Sequence, residues 1–287
     1  MTGNRWFLTL GELSDASIAG LINSGFELLD CSYSLYQGLD ERGRTQTNVR
    51  VDGLHLVYDG LPSSEIIDWG LNPRKYYAGA LVLNDANNMP QEKIFFEDGA
   101  CVNFQISYIA DGGSYATTRI TVSPRVLKLG DNTLTQPWTL SDVSTYLKKI
   151  SRGITKIAQP IGKTDLFLVI EDRDYEISEF DLSLGQSTDH KGQPTEEVEG
   201  GKIAFTVPQM ADELLRKWML SSDKLMSGEF QFRRGDQSMP LRVKFDNAYC
   251  ASMNPHKHQQ GDVRTSFVIS ANELALNEKA LFNNWRL

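Results

Sequence analysis

The 287-residue sequence is poor in the residues that build common active sites and scaffolds. It has three cysteines, in no CxxC pair, and four histidines. An odd, scattered cysteine set excludes a disulfide framework and a thiolate zinc site. No apolar run approaches the ~18 residues of a membrane-spanning helix. The one apolar stretch near the start, Trp6 to Leu10, is shorter than the ~7–15-residue core of a secretory signal. The expected location is therefore the cytoplasm, or export by a route that reads no cleavable signal. Basic residues are also scarce: 29 Lys and Arg stand against 37 Asp and Glu, for a net charge of -8. A nucleic-acid coat or an anionic-membrane binder shows a basic stripe instead, so neither partner is expected.

Catalytic and cofactor motifs are missing too. There is no GxSxG elbow, no GKS/T phosphate loop and no strand–GxGxxG–helix unit. Gly112-Gly113 and Gly200-Gly201 read as turn glycines. The acidic run Glu171-Asp172-Arg173-Asp174 lacks the EF-hand spacing and its closing Glu, and reads as a hairpin turn. Pro255-His256-Lys257-His258 is able to set two imidazoles on one side of a strand. Its setting is polar and loop-like, however, beside Asn254 and Gln259-Gln260, with no acidic or cysteine partner at ligand spacing. His55 reads as a strand residue, on the surface or in packing. No catalytic residue, cofactor or metal is expected, and the protein does not read as an enzyme.

What the chain does have is material for a core, with 40% hydrophobic and 23% charged residues, and an internal repeat. At an offset of 149, Gln37 meets Gln186, Asp40 meets Asp189, Gly43 meets Gly192, Trp69 meets Trp218, Gly79 meets Gly228, Phe96 meets Phe245 and Cys101 meets Cys250. Toward the ends the offset narrows to 147, where Ser123 meets Ser270, Leu127 meets Leu274 and Trp138 meets Trp285. A period this long is no solenoid, whose units run about 20–50 residues. It is two whole domains in tandem: 1–138 and 163–287, with 139–162 between them.

Each unit reads as mainly β, with about seven strands and one short inserted helix. In the second, Leu166 to Ile170, Glu176 to Leu184, Lys202 to Val207, Phe230–Phe232, Leu241–Phe245 and Phe267–Ala271 carry strand patterns. Gln209 to Leu220 has helical spacing at Met210, Leu214, Leu215 and Trp218. This predicts a small β-barrel or two-sheet sandwich. The first unit follows the plan with a longer segment, Gly11 to Gly25, after its opening strand, and a helix, Ser63 to Trp69, expected to be stunted. Cys101 and Cys250 are expected to pack as small core hydrophobes.

Between the units, Leu140, Val143, Leu147, Ile150, Ile154 and Ile157 are spaced 3, 4, 3, 4, 3, a heptad seam opened by a capping box at Thr139. Two readings stand: a linker helix packed on its own domains, or an assembly helix that meets another copy through Val143, Leu147, Ile150 and Ile154.

Leu29-Asp-Cys-Ser-Tyr-Ser-Leu35, followed by Gln37, Asp40 and Gly43-Arg44, resembles the first-strand-and-loop signature of the type VI secretion tube proteins, the haemolysin-coregulated (Hcp, TssD) family. Phe180-Asp-Leu-Ser-Leu-Gly-Gln186, with Asp189 and Gly192-Gln-Pro194, is similar again, as is the end of the chain from Phe267 to Trp285. The resemblance covers about 26–138 and 165–287. It implies two Hcp-like barrels where the family usually has one, and a structural, non-enzymatic role in a phage-tail-like contractile injector. Six family subunits form a ring, and rings stack into a tube. Three two-unit chains then close a pseudo-hexameric ring, with one junction within the chain and one between chains. The implied stacking loops are Gly38 to Asn48, with Gly38, Asp40, Gly43 and Arg44, and Ser187 to Gly201, with Asp189, Gly192, Pro194 and Glu197. Further copies of the chain, and tube, spike or sheath components, are the implied partners. The role is either tube subunit or tube-end adaptor to the spike, the Gly11–Gly25 insertion and short helix favouring the end ring. The competing reading is a two-domain β-sandwich module that binds a ligand or effector.

Overall fold

The structure is a computed structural model that describes residues 4–11, 25–138, 163–257 and 262–283. The heptad seam, with Val143, Leu147, Ile150 and Ile154, lies outside the described residues, as do most of the Gly11–Gly25 insertion, His258 and Trp285.

The first unit contains β1 (Arg5–Leu10), β2 (Phe26–Tyr36), β3 (Arg50–Asp59), α1 (Ser64–Leu71), β4 (Tyr76–Asn84), β5 (Pro90–Ile109), β6 (Tyr115–Leu129) and β7 (Asn132–Thr135). The second contains β8 (Thr164–Ile170), β9 (Arg173–Glu176), β10 (Glu179–Gly185), β11 (Lys202–Val207), α2 (Glu213–Leu220), β12 (Met226–Arg234), β13 (Leu241–Lys257), β14 (Val263–Leu276) and β15 (Lys279–Phe282). All pairings are antiparallel. In the first unit β1-β2-β3-β6-β5-β4 closes on itself as a six-stranded barrel. In the second, β10-β11-β14-β13-β12-β8 follows the same order, and an Ile177 N–H to Leu166 carbonyl bond of 2.9 Å ties its last corner.

Alternation explains why these segments are strands. Phe180, Leu182 and Leu184 point into the second barrel, whereas Glu179, Asp181 and Ser183 point out, as a period of two demands. Repeated residues keep repeated jobs. Trp69 and Trp218 plug their barrels; each indole N–H donates to a strand carbonyl, Gly99 at 3.1 Å and Ala248 at 3.0 Å. Each ring stacks on a phenylalanine, Phe96 and Phe245. The repeated glycine lets the backbone approach at a bulge: a Cβ on Gly79 would lie 2.5 Å from the Thr9 carbonyl, and one on Gly228 2.6 Å from that of Val169.

Four expectations change. The first-unit helix is not stunted: α1 and α2 are both eight residues long. Ser63 caps α1, accepting from the Ile66 N–H at 3.4 Å, and the turn at Asn72 ends it only after Leu71. Conversely, α2 starts later than its apolar spacing implied. Thr265 engages the preceding segment, accepting from the Ala211 N–H at 3.2 Å and donating to the Gln209 carbonyl at 2.8 Å. Asp212 stays extended and caps from there, accepting from the Leu215 N–H at 3.0 Å. Asn254, Pro255 and His256 form no loop; they continue β13, paired with Ser266, Thr265 and Arg264 of β14. Their polarity reflects an exposed edge. For the same reason Cys250 is only half-buried, while its mate Cys101 is fully buried. Burial pushes both thiols up, to about 12 for Cys101 and about 11 for Cys250, so both are inert at neutral pH.

Candidate assembly interface

The two barrels are joined directly by a strand ladder. Residues 103–109 of β5 pair with 179–185 of β10, from Glu179 opposite Ile109 to Gly185 opposite Asn103. Flanking bonds from the Ala110 N–H to the Ser178 carbonyl (2.8 Å) and from the Gln186 N–H to the Val102 carbonyl (3.0 Å) extend it. They also set its phase: the even-numbered residues of β5 aim their backbone groups at β10. One continuous arc of eight strands results, β2-β3-β6-β5-β10-β11-β14-β13.

Side chains lock the ladder on both faces. Inside, Tyr108 meets Phe232 edge-on at 5.8 Å. Outside, the Asp181 carboxylate accepts from Gln105 Nε2 at 2.6 Å and Ser107 Oγ at 2.8 Å. Arg264 of β14 pairs with Asp111 of the β5–β6 turn at 2.9 Å. A groove of about 620 Å³ runs along this face between Tyr115 and Ser266.

The two predicted loops are one device built twice. Asp40 accepts from the backbone N–H of Arg42 and Arg44 at 2.9 and 2.8 Å, and Asp189 from those of Lys191 and Gln193 at 2.8 and 2.9 Å. The Arg44 N–H, with the Arg44 guanidinium and the Arg42 N–H, holds the Asp40 carboxyl below the usual carboxylate range. Gly43 and Gly192 close the turns at φ +78° and +74°, where a side chain is strained. The Gly38 N–H donates to Thr47 Oγ1 at 2.7 Å, and Pro194 bridges back to Thr188.

Their surroundings differ. The second loop rests on the first barrel. Three successive carbonyls, His190, Lys191 and Gly192, accept from Arg50 Nη1 (2.6 Å), Trp138 Nε1 (3.0 Å) and Ser123 Oγ (2.6 Å). Gln186 Nε2 donates to the Cys101 carbonyl at 2.9 Å, and Glu197 pairs with Arg74 at 3.2 Å. The first loop, with Gly43 and Arg44 exposed, has no such bed within the chain among the described residues. Ser123, Trp138 and Gln186 were legible only as members of the repeat; what they bind was not.

The outer edges of the arc show the same contrast. On β2, Leu35 is 43% exposed, while its mate Leu184 in the junction is 1% exposed. On β13, Met253 is half-buried and Pro255 exposed, while their mates Phe104 and Ile106 are buried. Among the described residues, neither 30–36 of β2 nor 252–257 of β13 has a strand on its outer side.

The family model of the hemolysin coregulated protein Hcp (TssD) matches the chain twice, over residues 8–139 and 163–286. Among solved structures, Hcp1 from Flavobacterium johnsoniae is similar at 23% identity, over 42% of this chain and 99% of that one, with a TM-score of 0.39. A mutant form of Hcp1 from the E. coli EAEC 042 pathovar follows at 16% identity, over 42% and 98%, with a TM-score of 0.35. Hcp1 from Salmonella typhimurium follows at 19% identity, over 41% and 91%, with a TM-score of 0.33. No curated protein matches.

Proposed function

Since the chain belongs to the Hcp (TssD) family of structural type VI secretion tube proteins, we propose that it is a doubled tube subunit, three copies of which close one pseudo-hexameric ring. One observation carries this reading. The residues that make the junction inside the chain recur, at the repeat offset, beside the two unpaired edges. Gln186 has Gln37, Cys101 has Cys250 and Ser123 has Ser270; in the sequence Trp138 also has a mate, Trp285, which lies outside the described residues. A residue set retained in both copies but used once within the chain implies a second use between chains.

Applying the repeat to the junction register sets β2 of one chain against β13 of the next. Tyr36 then faces Ser252, Leu35 faces Met253, Tyr33 faces Pro255 and Cys31 faces Lys257. Gln37 reaches the Cys250 carbonyl, and Ser270 reaches the carbonyl of Gly43. Three eight-stranded arcs give a wall of twenty-four strands with no free edge, which removes the aggregation hazard of an open sheet. The domain limits 1–138, 139–162 and 163–287 fit this arrangement, because each junction falls between one unit and the next.

The loops around Gly38–Arg44 and Asp189–Glu197 are then shared between two tasks. Their carbonyl side seats on the neighbouring barrel in the plane of the ring, and their outer side faces the next ring. With α1 and α2 equal in length, the helix argument for a specialised end ring falls away, and a tube-body subunit is the simpler role. The test is negative-stain imaging with sedimentation of the full chain at tens of micromolar. Six-lobed rings of three chains are expected; a monomer at all concentrations overturns the reading.

A further inference from the structure

Inside the chain, one row of outward side chains crosses the junction as Ser107, Asp181, Ala204, with Asp181 opposite both others. The long carboxylate stands in the middle, and its flanks are small. The repeat mates of these positions are His256 on β13, Ser32 on β2 and His55 on β3. Ser32 lies opposite His55 in the β2–β3 ladder. A seam in the register of the internal junction sets Ser32 opposite the partner subunit's His256. The row is thus inverted: a small hydroxyl in the middle and an imidazole on each side.

The spacing suits one ion. Strands two apart are separated by about 9.5 Å. Imidazoles that turn over Ser32 from both sides can share one metal, which forms bonds of about 2.0–2.1 Å to each nitrogen. The other ring nitrogens are already engaged. His55 Nδ1 lies 3.1 Å from Thr121 Oγ1 of β6, on the side of β3 away from Ser32, so the ring pivots about this contact to reach the seam. His256 Nδ1 lies 3.3 Å from the Asn254 carbonyl, which only accepts, so in the neutral ring Nδ1 carries the proton and Nε2 keeps its lone pair. Metal-bound imidazoles are oriented by such contacts. The cation opposite His256 on β14, Arg264, is paired with Asp111 at 2.9 Å and lies 3.9 Å from Glu179. Asp30 lies two residues from Ser32 on the same strand.

We propose, on the ring reading above, that each seam between chains is a binding site for a divalent transition-metal ion that prefers imidazole, held by His55 of one chain and the partner subunit's His256. The site is absent from the junction within the chain, so it marks the seams alone. A single chain cannot form it, because β3 and β13 lie toward opposite ends of the arc.

The experiment is equilibrium dialysis of the full chain against Zn²⁺, with metal analysis of separated ring and monomer fractions, and sedimentation with and without the ion. The expected result is one Zn²⁺ per chain in rings, none in monomers, and ring formation at lower protein concentration when Zn²⁺ is present. His55→Ala and His256→Ala each lower the zinc affinity of the ring at least about tenfold, while circular dichroism of the monomer stays unchanged. Rings that form equally well without bound zinc overturn the metal site and leave the ring intact. Zinc bound equally by monomers, or undiminished in His55→Ala, also overturns it, by placing the ion elsewhere. Absence of rings with and without Zn²⁺ overturns the ring and the site together.

Discussion

Pro255→Ile tests the seam at its centre. Ile106 is the repeat mate of Pro255, and in the junction it lies opposite Leu182. The Ala110–Ser178 and Gln186–Val102 bonds put even-numbered β5 residues in hydrogen-bonded pairs with β10, so the Ile106 N–H faces Leu182. At the equivalent place on β13, proline has no N–H to offer, and its nitrogen faces the free edge. Edge prolines of this kind limit unwanted pairing. Isoleucine restores one backbone donor, worth about 0.5–1.5 kcal/mol, and a branched side chain suited to a sheet. Together these strengthen each seam by about 1–2 kcal/mol, a factor of about 5–30 in the association constant. Sedimentation equilibrium across a dilution series reads this directly. Association that is unchanged or weaker in a normally folded variant refutes the β2–β13 register.

Other outcomes follow from single contacts. Asp181→Ala removes the acceptor of Gln105 and Ser107 and is expected to cost about 1–3 kcal/mol. Because the loss falls between the barrels, thermal unfolding by calorimetry should broaden or split into two steps. Gly228→Val drives a Cβ against the Val169 carbonyl at 2.6 Å; overpacking of about 1–3 kcal/mol should lower the melting temperature. The Asp212 carboxyl is disfavoured as a charge by burial, but the Leu215 N–H, the Tyr175 hydroxyl and Arg173 outweigh this and hold it below its ordinary value. Its stabilisation is therefore full above the unfolded-state value of 3.8 and is lost as pH falls through the lower folded value. Asp212→Asn should flatten that part of the acid melting curve, followed by circular dichroism between about pH 5 and 2.

Much of the fold was legible because its signals are local. Period-two alternation at Phe180, Leu182 and Leu184, and turn chemistry at Asp40–Gly43 and Asp189–Gly192, are written in consecutive residues. The duplication was legible because Trp69, Gly79, Phe96 and Cys101 each do a job that a second barrel needs again. Boundaries were less so: α2 begins at Glu213 because Thr265, 52 positions later in the sequence, occupies the segment before it. His256 read as loop because a strand on an open edge carries polar residues, and composition does not tell an edge from a turn.

The sequence by itself determined that this chain is two copies of one β-barrel, with a repeated loop, since patterning, turn chemistry and repeat identity need no knowledge of contacts. Only the tertiary structure decided which strands lie at the junction. Pairing β5 with β10 leaves β2 and β13 as the edges, and edge choice depends on backbone groups that every residue shares. Hydrogen-bond donors and acceptors of the main chain are the same at Leu35 as at Leu184; what differs is that, among the described residues, Leu184 has a strand on its outer side and Leu35 has none.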